Sequence, residues 1–205
     1  AKRGIRVDAV ELGVNLAAVA SNNCTEWPRV SVTASDFEST SLPQGAYDLV
    51  FSAQAFHWIN PKVRLSMTCK LLRSNGSLAL LYIYTRPPTD GVLKALGEAA
   101  AKETGGEMKH SDPTVDIERW TDELSTSRLY RDLRVARHPW VQQYGPREYQ
   151  GLFRTYSDYM SLDPATKERV EEVIQRTIEE YGGSAKREYE CVLFHVKKSD
   201  GSGEG

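Results

Sequence analysis

The chain has 205 residues, of which 40% are hydrophobic, 26% charged and 9% aromatic. A chain this long hides roughly 70% of its unfolded surface on folding, and the composition excludes wholesale disorder. Lys plus Arg total 26 against 28 for Asp plus Glu, a formal charge of −2, which argues against a dedicated nucleic-acid binder. No apolar run approaches the ~20 residues that span a bilayer, and the opening residues do not read as a signal peptide.

In chain order, residues 6–12 (RVDAVEL) alternate as a strand and end near an acid, and 15–21 (NLAAVAS) read as a short helix. Residues 30–34 (VSVTA) are a β-branched strand, and 47–53 (YDLVFSA) a continuous apolar one. Asn60-Pro61 predicts a helix start, continuing through Leu72, with Pro61 in its first turn. A Ser74-Asn75-Gly76 turn then feeds 77–84 (SLALLYIY), the most hydrophobic stretch. Strands separated by helices of this length predict βαβ units and a parallel sheet.

The second half predicts a helix over 91–104, a strand over 129–138, and an aromatic-rich helical pattern over 147–159. Asp163-Pro164 caps a helix over 165–181 that stops at Gly182-Gly183, and 186–197 (KREYECVLFHVK) read as the last strand. The organisation expected is one domain over 1–198: a cofactor-side half (1–90), a helical connection (91–128), and a terminal strand pair (129–198) with a helical cap inserted at 145–183. Residues 199–205 read as a disordered tail.

Three strand ends carry the chemistry. Glu11 sits where nucleoside-binding α/β folds place the carboxylate that accepts both ribose hydroxyls. Asp36-Phe37 follows the next strand, an acid for an exocyclic amine beside an aromatic for a ring. Ser52-Ala53-Gln54 end the third, and His57-Trp58 follow. Polar strand ends converging on the carboxyl edge of a parallel sheet mark a ligand site.

Residues 47–59 (YDLVFSAQAFHWI) and 71–79 (LLRSNGSLA) resemble the middle of a class I S-adenosylmethionine-dependent methyltransferase. The likeness is to the small-molecule group that includes trans-aconitate-type enzymes, the methyltransferase type 11 group. It extends through Thr155-Tyr156-Ser157-Asp158-Tyr159 and Gly182-Gly183, and so takes in nearly all of 1–198. Ser74-Asn75 depart from the group's Pro-Gly turn. The resemblance implies a Rossmann-like sheet, mostly parallel with an antiparallel last strand, with helices on both faces and a helical cap before that strand. It also implies S-adenosylmethionine as cofactor, with Glu11, Leu12, Asp36, Phe37, Ser52, Ala53 and Gln54 lining its site. His57 is the candidate base, since histidine titrates in the useful range; the alternative reading is a packing residue at the start of the next helix. His57, Trp140, Tyr156 and Tyr159 are the candidate acceptor-side residues, with Trp140 and Tyr144 read as part of the inserted region. The acceptor is a small molecule, and neither nucleic acid nor a membrane is expected as partner.

One motif of the group is absent: the glycine-rich turn after its first strand. Counting back about 20 residues from Glu11 passes Ala1, and Gly201–Gly205 has no following helix. The expectation is a domain lacking its first strand and helix, less stable than a complete one and prone to aggregation. The alternative function is then a truncated or degenerate methyltransferase-like protein that binds without catalysis.

Other residues read as ordinary. Cys24, Cys69 and Cys191 lack disulfide or zinc spacing, and free thiols fit a reducing cytoplasm. No metal site is expected. Trp58 is expected to close the core. His110, His138 and His195 lack ligand-like spacing, and Arg128, Arg131, Arg134 and Arg137 read as a solvated strand edge.

Overall fold

The structure is a computed structural model that describes residues 2–88, 91–106 and 113–200, with the side chains of 113–115 left aside. His110 and the glycines of 201–205 lie outside the described residues. In chain order the elements are β1 (Val7–Glu11), α1 (Val14–Asn23), β2 (Val30–Ala34), β3 (Tyr47–Ala53), a single 3-10 turn (Phe56–Trp58), α2 (Arg64–Leu71) and β4 (Leu72–Thr85). These are followed by α3 (Gly91–Thr104), α4 (Pro113–Thr126), β5 (Tyr130–Tyr144), α5 (Pro146–Phe153), α6 (Ser157–Ser161), α7 (Pro164–Glu180) and β6 (Ala185–Lys198). β1 and β2 form a parallel pair in register Val7↔Val30 to Glu11↔Ala34. The remaining strands form a second sheet in the order β3-β4-β6-β5.

β6 runs antiparallel to both its neighbours. Against β5, the Ser199 N–H reaches the Leu129 carbonyl while Gln143 reaches Ser184. Against β4, Lys198 meets the Leu72 carbonyl and the Arg86 N–H meets that of Glu188. The mixed sheet with its antiparallel last strand is therefore as expected. The chain divides into two compact units where the sequence reads as one domain.

The first unit holds residues 1–80, 127–132 and 195–205. Its core is β4, where Leu72, Leu78 and Leu80 are fully buried, together with Phe56 and Val196. The buried Tyr130 hydroxyl bonds Thr68 Oγ1 at 2.8 Å. Gly76 is required by close approach: a Cβ there would lie 3.0 Å from the carbonyl oxygens of both Tyr47 and Arg73.

The second unit holds residues 81–126 and 133–194. Here α3, α5 and α7 bury Leu96, Tyr149, Phe153, Val170, Ile174 and Ile178 around Ala185. Asp163 caps α7 by accepting the Thr166 N–H at 3.0 Å, with Pro164 in the first turn. Gly182 and Gly183 end it at φ of 94° and 82°, a left-handed stop that favours glycine. Trp120 is fully buried and stacks on Tyr82.

Several sequence expectations are corrected. The helix expected from Asn60 starts at Arg64, because Asn60 Oδ1 accepts the Lys62 N–H and its carbonyl takes those of Val63 and Arg64, closing a turn over 60–63. The Ser74-Asn75-Gly76 turn lies inside β4, with Asn75 at φ 60° absorbing the irregularity. The aromatic pattern over 147–159 divides into α5 and α6. Trp140 and Tyr144 belong to β5, which runs beyond the expected end at His138. Trp58 does not close the core: it is 73% exposed, and Phe56 is buried in its place with the Arg64 guanidinium over its ring.

Candidate functional site

In the first unit, parallel pairing brings the carboxyl ends of β1 and β2 side by side. The Ser35 N–H donates to the Glu11 carbonyl at 3.0 Å, so the strand-end acid and the 35–40 turn are tied together. Glu11 Oε1 accepts the Gly13 N–H at 2.8 Å, holding the carboxylate at the N-terminus of α1, where the helix dipole favours negative charge. Leu12, between them, is exposed.

Asp36 Oδ1 accepts the Ser39 N–H at 2.7 Å, and the Asp36 carbonyl accepts the Thr40 hydroxyl. Hydrogen bonds from Ser39, hydroxyl first and backbone second, hold the Asp36 carboxyl below its ordinary range, so it is an anion at neutral pH. The half-buried Phe37 lines a groove of about 230 Å³ with Thr40, Leu42, Met67, Lys70 and Leu71.

At the end of β3, Ser52 is half-buried and Ala53 exposed, while Gln54 takes φ 54° and turns the chain out of the strand. Such a left-handed residue carries roughly 1 kcal/mol of strain or more, held by the surrounding structure. His57 follows on the 3-10 turn, exposed, with its ring centroid 5.1 Å from that of Trp58. The turn is joined to the β2 loop by a residue that sequence reasoning missed: Glu38 Oε1 accepts the Asn60 N–H at 2.9 Å. Glu11, the Asp36-Phe37 loop and the turn that carries His57 are thus linked by successive hydrogen bonds within the first unit.

The other three candidates lie in the second unit. Trp140, on β5, stacks on Tyr189 at 5.1 Å and 14°. Tyr156 is half-buried at the start of α6. The buried Tyr159 hydroxyl donates to Glu171 Oε1 at 2.5 Å, on the carboxylate that also receives Arg154. Burial, then the Glu171 bond, pushes that phenol up to about 12. Beside Tyr156 lies a residue sequence reasoning passed over, Arg187, whose guanidinium stands over the rings of Tyr149, Tyr156 and Tyr189 at 5.7–6.0 Å. Its signal was the period-2 alternation of β6, which puts Arg187 on the face of Ala185 and Tyr189.

Among the described residues no group of His, Cys, Asp and Glu could hold a metal ion, and no helix is long and apolar enough to cross a membrane. The three cysteines are half-buried and free. In the Arg cluster, Arg131 pairs with Asp132 and Asp200, and Arg137 with Glu190.

Residues 1–80 match the family model described as a methyltransferase domain. A Dictyostelium discoideum protein provisionally named a methyltransferase is 32% identical over 101 residues, covering 49% of this chain and 35% of that protein, so the chain spans about a third of the length of this curated relative. Among solved structures, the MccD protein superposes with a TM-score of 0.58 at 15% identity, covering 97% of this chain and 82% of its own. A provisionally named type II methyltransferase from Anaeromyxobacter dehalogenans gives 0.63 at 16% identity, covering 93% and 79%. At those identities the structural likeness speaks for the fold. The chain accordingly has the Rossmann-like fold of the class I methyltransferases, and its residues 1–80 are similar in sequence to a methyltransferase domain.

Proposed function

We propose that this protein binds S-adenosylmethionine along the β1–β2–β3 strand ends and directs its methyl group to a small-molecule acceptor. The observation that carries the reading is the pre-held pair of carboxylates: Glu11 fixed on the Gly13 N–H and Asp36 on that of Ser39. A Cβ at position 13 would stand 3.1 Å from Glu11 Oε1, so glycine leaves room for the carboxylate to hold this position. These residues fit the nucleoside part of the cofactor. Glu11 would accept the ribose hydroxyls and Asp36 the adenine amine, with Phe37 beside the base, Leu12 at the ribose edge, and Ser52, Ala53 and Gln54 toward the reactive end. Bound, the cofactor supplies an activated methyl group on a sulfonium. The chain's part is then to position the acceptor and exclude water, and His57 would accept the acceptor's proton. Trp140, Tyr156 and Tyr159 are proposed on the acceptor side.

Calorimetric titration of the full chain with S-adenosylmethionine tests this. Saturable binding weakened roughly tenfold or more by Glu11→Ala is expected, as befits loss of charged hydrogen bonds. No binding, or binding indifferent to Glu11→Ala and Asp36→Asn alike, would overturn it. One observation favours the non-catalytic alternative: β1–β2 and β3–β4–β6–β5 are separate sheets, so the strand ends are not carried on one continuous ladder. Cofactor binding with no methyl transfer to any acceptor would support that second reading.

A further inference from the structure

Arg187 is a buried charged side chain of the second unit, and we infer that it anchors an oxyanion-binding site there, one that takes the carboxylate of a small molecule with an apolar body. Arg187 is only 7% exposed, and a guanidinium keeps its charge in proteins. Yet among the described residues no carboxylate pairs with it. Alternation along β6 sends Glu188 and Glu190 to the opposite face, where Arg86 and Arg137 take them. Its surroundings are tyrosines. It hydrogen-bonds the Tyr149 hydroxyl at 3.5 Å, the outer limit for such a bond, and stands over three aromatic faces.

Cation–π contacts offset part of the cost of burying this charge, but they do not neutralise it. Nor can the phenols: burial pushes Tyr149 up to about 12 and raises Tyr156 and Tyr189 as well, so all three are neutral at physiological pH. What remains is one positive charge with a planar fork of N–H donors, beside the Tyr144–Tyr189 hydroxyl pair at 2.8 Å. The rim of the cage reaches the surface: Tyr144 and Tyr156 are half-buried, and Trp140, stacked on Tyr189, is 38% exposed. A carboxylate matches the fork in two parallel bonds and balances a single charge. A phosphate dianion would leave excess negative charge against aromatic walls, which instead suit an apolar body.

The test titrates the full chain, without cofactor, with octanoate, its neutral methyl ester and inorganic phosphate. Octanoate is expected to bind roughly tenfold or more tighter than either, Arg187→Met to remove that preference, and Arg187→Lys, charged but without the fork, to restore only part of it. The inference fails if octanoate does not bind, if the ester or phosphate binds as well, or if Arg187→Met leaves affinity unchanged. Should Arg187→Met not fold, the comparison of acid with ester on the unaltered chain decides alone. No arm reads methyl transfer or cofactor binding, so failure here and failure of the proposed function are separately visible.

Discussion

The Tyr47 hydroxyl donates a 2.9 Å hydrogen bond to Asp8 Oδ2, joining the first residue of β3 to the second of β1, two strands that share no backbone ladder. Asp8 also accepts the Ser31 hydroxyl at 2.8 Å. The Ser31 bond first, then the Tyr47 bond and the Arg6 charge, hold the Asp8 carboxyl below its ordinary range. Tyr47→Phe is expected to lower stability by about 1 kcal/mol at neutral pH. Because folding depresses this carboxyl, its contribution is fully present above the unfolded value of about 3.9 and is lost as pH falls through the folded one. Urea denaturation should therefore separate wild type from Tyr47→Phe at neutral pH and bring them together in strong acid. An equal gap at both would show that the bond is not the cause.

Gly76→Ala is expected to destabilise by roughly 1–3 kcal/mol, the usual cost of overpacking. The atoms that a Cβ would meet at 3.0 Å are backbone carbonyls of Arg73 and Tyr47, which cannot rotate away as a side chain would. Gly97→Ala, where a Cβ meets nothing within 4 Å and the residue is helical, should leave stability unchanged or raise it. Thermal melts of the two variants make the comparison.

The Glu190 carboxylate, largely buried, receives Arg137 through two bonds of 3.0 and 2.5 Å, with Arg86 at 3.5 Å. The Arg137 bond, then its charge, lowers the Glu190 carboxyl. Arg137→Ala should cost roughly 1–2 kcal/mol, since the guanidinium is half in water and Arg86 remains. The sign follows from the lowered carboxyl: its stabilisation holds above the unfolded value near 4.3 and disappears as pH falls through the folded one. In Arg137→Ala the folded value moves back up, so acid unfolding should begin at higher pH. An unchanged acid midpoint in circular dichroism would refute this.

β3 is half exposed, with Phe51 54% and Leu49 50% accessible on a strand that edges its sheet. Apolar edge strands template association with other chains. Phe51→Lys is accordingly expected to reduce concentration-dependent light scattering while leaving the melting temperature within a few degrees. Scattering as strong as that of wild type would place the association elsewhere.

Strand and helix positions were most legible where local pattern decides them. β2 and β3 lie over the residues expected because β-branched and apolar runs there are bounded by turns, and α3 because its glycines bracket an alanine-rich stretch. Less legible were features that depend on a distant partner. Asn75 reads as a turn until Gly76 is seen packed against the Tyr47 carbonyl. Trp58 reads as core because it is large and aromatic, but the 3-10 turn presents Phe56 inward. The candidate site was legible at Glu11 and Asp36, residues that complete local turns with Gly13 and Ser39. Glu38 and Arg187 were not, because each acts on a residue far along the chain, Asn60 and Tyr149. A charged residue in a strand pattern looks solvated until its face is known.

Among described residues 2–40, Ala17 is the single fully buried side chain. The β1–α1–β2 segment thus has little apolar burial of its own, whereas β4 buries Leu72, Leu78 and Leu80 completely. Cooperative opening follows local burial, so this segment is expected to behave as a separate foldon that opens below the global unfolding free energy. Backbone amides of Val10 and Val32 would exchange with solvent through that local opening, while those of Leu78 and Leu80 wait for the whole unit to unfold. The carboxylates of Glu11 and Asp36 would thus sit on or beside this weakly buried segment, and any ligand that holds them would be seen first as slowed exchange there.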